Sequence, residues 1–80
     1  MIFKPITSEK AVKLIDLDNT LLFEVPRSAR KLEIQKEFES IFSVKIKKIR
    51  SFIRNNKKIV YIKLKKENPA IDIATKLGMM

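Results

Sequence analysis

Eighty residues with 45% apolar side chains, a formal charge of +9 and neither Cys nor His set narrow bounds. A chain of this size hides only about 60 to 65% of the surface its unfolded form exposes, which excludes a large active-site cleft, and the missing residue types remove the commonest zinc ligands, the thiol nucleophile and the usual neutral-pH base. The composition fits one α+β domain over residues 1–80, and with no apolar run near the roughly 18 residues that cross a bilayer, a cytoplasmic chain without membrane insertion is expected.

In chain order, residues 8–17 (SEKAVKLIDL) place Ala11, Leu14 and Ile15 at helical spacing behind Thr7 or Ser8 as N-cap, with Glu9 at the positive end of the dipole. Asp18-Asn19 predicts a turn. TLLFEV then alternates, with Leu21, Phe23 and Val25 on one face of a first strand that Pro26 ends. From Ser28 a longer helix is expected, with Ile34, Phe38, Ile41 and Phe42 as its buried stripe and Leu32 off that stripe.

SVKIKKIRSFIRNNKKIVYIKLKK predicts a hairpin, because two β-branched-rich runs flank Asn55-Asn56, both tolerant of the positive φ of a type I′ turn. Closing the turn there pairs Ile53 with Lys58, Ser51 with Val60 and Ile49 with Ile62 on the face that carries Leu64; Lys48, Arg50, Phe52, Ile59, Tyr61 and Lys63 take the other face. Val44 and Ile46 have the wrong parity to join Ile49, so a bulge is expected near Lys47-Lys48. A short terminal helix follows, with Asn68 as N-cap, Pro69 at N1, Asp72 early, Lys76 late and Gly78 at C′; Ile73 and Leu77, with Ala70 or Ala74 beside them, form its apolar edge. The whole is a small antiparallel sheet with a long basic hairpin, one main helix and short N- and C-terminal helices.

KLIDLDNTLLF at residues 13–23 resembles the nucleophile strand of the haloacid-dehalogenase-type phosphotransferases. There a first carboxylate attacks phosphorus, a second works as acid and base, and magnesium is held by both and a distant third; Asp16 and Asp18 would fill the first two roles. That chemistry needs a parallel sheet covered on both faces, at about 30 residues per βα unit, and no adjacent acidic pair follows Asp18 to complete a magnesium site. No catalytic residue, metal or cofactor is assigned.

The charge is unevenly spread. Residues 1–42 hold seven Lys or Arg against seven Asp or Glu, whereas residues 44–66 hold ten cations and no acid, interleaved with Phe52 and Tyr61. Such a ribbon suits a polyanion: Lys48, Arg50, Arg54, Lys57, Lys58 and Lys63, with Lys45 and Lys65 beside them, would grip phosphates while the rings fill groove surface. A competing arrangement has the terminal helix cover Phe52, Ile59 and Tyr61 as a second small core.

Several pieces together resemble one family: Pro5-Ile6-Thr7-Ser8-Glu9-Lys10, NTLLFEV at 19–25, Ala29-x-Lys31-x-x-Ile34, Phe42-x-Val44-Lys45-Ile46, VYIKLK at 60–65, and Ala74-x-x-Leu77-Gly78. In this order and spacing, over nearly the whole chain, they resemble the archaeal-type large-subunit ribosomal protein of universal family twenty-three. The resemblance implies a non-enzymatic protein on the ribosome, bound to large-subunit rRNA and neighbouring ribosomal proteins beside the exit of the peptide tunnel. There it would help form a docking platform for the signal recognition particle, the translocation channel and other nascent-chain factors. It also implies that the hairpin and the Arg27 to Lys31 segment face rRNA and that Glu9 lies toward docking factors. Gln35, Glu37 and Ser43 depart from the Lys, Ala and Gly common in relatives, which puts helix-borne RNA contacts and a glycine helix stop in question. The short Asn55-Asn56 turn implies a hairpin that does not reach into the tunnel. The second reading is a free-standing nucleic-acid-binding module.

Overall fold

A computed structural model describes residues 3–78. The elements are β1 (Lys4–Pro5), α1 (Glu9–Asp18), β2 (Thr20–Val25), α2 (Lys31–Phe42), β3 (Ile46–Arg54), β4 (Lys57–Leu64) and α3 (Ala70–Lys76). The strands form one antiparallel sheet in the order β1-β2-β4-β3, so the architecture is α+β. β1 was not expected: two residues carry no periodicity, and the strand exists because Lys4 and Pro5 lie opposite Glu24 and Phe23.

Ser8 holds an extended backbone and its Oγ accepts the Ala11 N–H at 3.2 Å, starting α1 as expected. Asn19 ends the helix in the left-handed region (φ 51°), a conformation that Asn tolerates better than most side chains. Ala11 and Ile15 are buried; Leu14 is half-buried.

α2 begins at Lys31, later than the expected Ser28, because the Ala29 N–H bonds back to the Pro26 carbonyl at 3.0 Å and makes a turn whose Ala29 side chain enters the core. Ile34 and Phe38 are fully buried and Phe42 packs against the core, but Ile41 is 57% exposed. At about 100° per residue, the row 34, 38, 42 is centred some 60° away from Ile41, which therefore falls outside the stripe. Leu32 stands 70% exposed. Ser43 supplies the left-handed stop (φ 53°) without a glycine.

The hairpin has the expected register: Ile53 lies opposite Lys58, Ser51 opposite Val60 and Ile49 opposite Ile62, with Asn55 and Asn56 at φ 51° and 63°. A bulge sits between Ile46 and Lys48 and restores Ile46 to the core side. In α3, Pro69 rather than Asn68 is the N-cap residue. The Asn68 Oδ1 instead accepts the Lys45 N–H at 2.8 Å, while the Asn19 Oδ1 takes the Ala70 N–H at 2.6 Å.

The main core joins Leu21, Phe23 and Val25 of β2 and Val60, Ile62 and Leu64 of β4 to Ile34 and Phe38 of α2, to Ala70, Ile73 and Ala74 of α3, and to Ile15 of α1. Phe3 closes it: its ring stands 5.7 Å from Phe23 and 5.5 Å from Phe38, edge-on to both.

Candidate nucleic-acid interface

Alternation along β3 and β4 sets the face opposite the core. Lys48 lies beside Lys63, Arg50 beside Tyr61 and Phe52 beside Ile59, and β2 extends these rows with Thr20, Leu22 and Glu24. The Arg50 guanidinium carbon sits 5.6 Å from the Tyr61 ring centroid, and the Phe52 and Tyr61 rings are 5.6 Å apart at 42°. Phe52 is 39% exposed and Tyr61 half-buried. The terminal helix does not cover these rings: α3 places its buried residues in the main core and touches α1 and β2. Helix α1 borders them instead, with Lys10 and Leu14 sharing a cleft with Arg50, Phe52 and Tyr61. Neither residue was expected there, since nothing local in α1 signals a contact with strands more than thirty positions away.

The fold also brings acid to the ribbon from outside its sequence window. Lys63 Nζ lies 2.9 Å from Asp18 Oδ1, and Lys57 Nζ 3.8 Å from Glu24. The Thr20 hydroxyl, nearly inaccessible, donates to Asp18 Oδ2 at 3.0 Å. The Lys63 ammonium, and next the Thr20 hydroxyl, hold the Asp18 carboxyl below its ordinary value, with Arg50 adding a weaker pull. Two of the ten cations are thus matched locally. Among the described residues Lys48 and Arg54 make no ion pair, and Lys48, Arg50 and Arg54 are exposed on one side of the hairpin.

Lys58 has core-side parity, and its Nζ donates to the Ala29 carbonyl, while the Arg27 guanidinium donates to Asn56 Oδ1 at 3.2 Å. The Arg27 to Lys31 segment is therefore fastened to the hairpin tip, and exposed Arg27 and Lys31 share that end of the molecule. Lys45 and Lys65 lie at the opposite end, where the Lys65 N–H bonds the Lys45 carbonyl at 3.2 Å. Glu9 is exposed in the first turn of α1.

The tandem carboxylates do not form a phosphotransferase site. Asp16 and Asp18 lie in the last turn of α1, not at the end of a strand, and Asp18 is committed to Lys63 and Thr20. Among the described residues no cluster of three or more Asp or Glu could hold a metal.

An antiparallel α+β sheet with one cationic, ring-bearing face defines a small basic protein whose charge is gathered on one side of a hairpin. The chain belongs to the ribosomal protein L23 family, whose sequence model matches residues 1–73. It is 42% identical over 80 residues to the large ribosomal subunit protein uL23 of Methanothermobacter thermautotrophicus, covering 99% of this chain and 93% of that relative. It is 38% identical over 82 residues to the uL23 of Pyrobaculum aerophilum, with both chains covered in full. The protein is accordingly a structural, non-catalytic constituent of the large ribosomal subunit, associated with the ribosome, and not a free-standing module.

Proposed function

We propose that this chain, acting as a single domain, binds large-subunit rRNA beside the exit of the peptide tunnel and contributes to the platform on which the signal recognition particle, the translocation channel and other nascent-chain factors dock. The observation that carries the RNA part is the face where Lys48, Arg50 and Arg54 project from one side of β3 next to the Phe52–Tyr61 ring pair. Cations on a stiff ribbon meet successive phosphates without first being ordered, and exposed rings offer apolar surface to riboses and bases.

In this reading Lys57 and Lys63 exchange their carboxylate partners for phosphate or share them, and Lys45 and Lys65 extend the contact at the base of the hairpin. Lys58 serves mainly by anchoring the loop that presents Arg27 and Lys31. Glu9, exposed in the first turn of α1, belongs to the surface left for docking factors. The two-residue turn adds no loop beyond the paired strands, so the hairpin stays outside the tunnel lumen.

Crosslinking from residues 48, 50 and 54 within the assembled large subunit tests the RNA assignment. Adducts to rRNA at all three positions are expected. Crosslinks from these positions only to protein, or to nothing, would overturn it.

A further inference from the structure

The strand order leaves two edges of very different character. β1 closes one edge with two residues, one of them Pro5, which has no N–H to offer. β3 forms the other edge over nine residues. Its open groups follow from the ladder phase. The Leu64 N–H bonds the Asn19 carbonyl on the β2 side, so Leu64 turns its polar groups away from β3, and its partner Ile46 turns its own outward. Consistent with this, the Ile46 N–H is taken by the Glu39 carboxylate at 2.9 Å. Counted from the other end, a two-residue turn makes Arg54 and Lys57 the bonded pair. Alternation then points the N–H and C=O groups of Ile49, Ser51 and Ile53 outward. Glu39 closes the edge at Ile46, and none of the described side chains closes it at these three residues.

The side chains along this edge differ between its two sides. On the core side Ile49 is half-buried and Ile53 is 52% exposed; on the other stand Lys48, Arg50, Phe52 and Arg54. A second copy paired along this edge would set cations against cations, a charge pattern that disfavours self-association. An incoming strand with acids on one face and apolar residues on the other would satisfy the open amides, pair with the cations and extend the apolar side over Ile53.

We propose that the β3 edge from Ile49 to Ile53 is a strand-addition site for an extended segment of another protein in which acidic and apolar residues alternate. The open amides lie in the plane of the sheet and bind whether or not the adjoining face meets RNA, whereas the acids of the segment would meet the same Lys48, Arg50 and Arg54 that the proposed RNA contact uses.

The test uses the full 80-residue chain, labelled for amide exchange, and a synthetic peptide of alternating Glu and Val. The amides of Ile49, Ser51 and Ile53 should slow on binding, whereas those of Arg50 and Phe52, already in the ladder, should change little. A peptide N-methylated at every second residue, so that it cannot pair, should bind about five- to tenfold more weakly or not at all. Ser51→Pro removes an outward N–H and leaves the bonds to β4; it should lose the peptide and keep affinity for an rRNA fragment. Equal binding of the N-methylated peptide, or of a peptide of the same composition with Glu and Val in separate blocks, would overturn the proposal. So would slowing of the three amides by rRNA alone, or by raising protein concentration without peptide.

Discussion

The Asn19 side chain caps a helix that begins 51 residues further along the chain: its Oδ1 accepts the Ala70 N–H at 2.6 Å. Its Nδ2 lies 3.1 to 3.2 Å from the carbonyls of Leu64, Lys65 and Asn68, so one amide joins the end of α1 and the end of β4 to the start of α3. Asn19→Ala removes a helix cap worth about 1 kcal/mol and donors to carbonyls at about 1 kcal/mol each, and it leaves Ala in the left-handed region. A loss of about 2 to 4 kcal/mol in urea unfolding is expected. Asn19→Gly should be milder by about 1 kcal/mol, because glycine takes that φ without strain.

Phe38 has no exposed surface and touches Phe3, Phe23 and Phe42 with ring centroids 4.7 to 5.5 Å apart. Phe38→Ala should cost about 3 to 5 kcal/mol, a large part of the roughly 4 to 12 kcal/mol expected of a chain this long. Ile41→Ala, one turn away but outside the buried stripe, should change stability by less than about 0.5 kcal/mol. Urea midpoints at unchanged m-value separate the two.

The hairpin could be read residue by residue because three signals agree there: β-branched runs, an Asn-Asn turn, and a parity mismatch that demands a bulge. At the start of α3 a distant contact overrides a local signal. Asn68-Pro69 reads as a cap followed by N1, yet Asn19 reaches α3 first and leaves the Asn68 side chain to Lys45. The cationic ribbon was visible as a run without acids, but Asp18 and Glu24 join it through the pairing of β2 with β4, which places Thr20 opposite Lys63 and Glu24 opposite Ile59. The cleft wall supplied by Lys10 and Leu14 was invisible for the same reason.

Asp18 gives the fold a dependence on acid. Its folded-state carboxyl is held below the ordinary aspartate value of about 3.9, first by Lys63 and then by Thr20. A group with a depressed folded pKa stabilises the fold fully at pH above its unfolded value, and that contribution is lost as pH falls through the folded value. The difference in unfolding free energy between wild type and Asp18→Asn should therefore be constant above about pH 5 and shrink below about pH 4. A difference that stays constant down to about pH 2 would show that the Asp18 charge contributes nothing.

Affinity for an rRNA fragment should report which cations meet phosphate. If about six phosphates are neutralised, binding weakens on the order of a thousandfold between 50 and 200 mM salt. Lys48 is exposed, stands opposite Lys63 and makes no ion pair among the described residues, so its ammonium is open to phosphate. Lys48→Gln should flatten the slope of log affinity against log salt by about 1. Lys58 carries the same charge two places past the turn, but its Nζ is bonded to the Ala29 carbonyl on the core side. Lys58→Gln should leave the slope almost unchanged and instead lower stability by about 1 kcal/mol. Equal slope changes for the two variants would mean that bulk charge, and not the face on which each cation stands, governs binding.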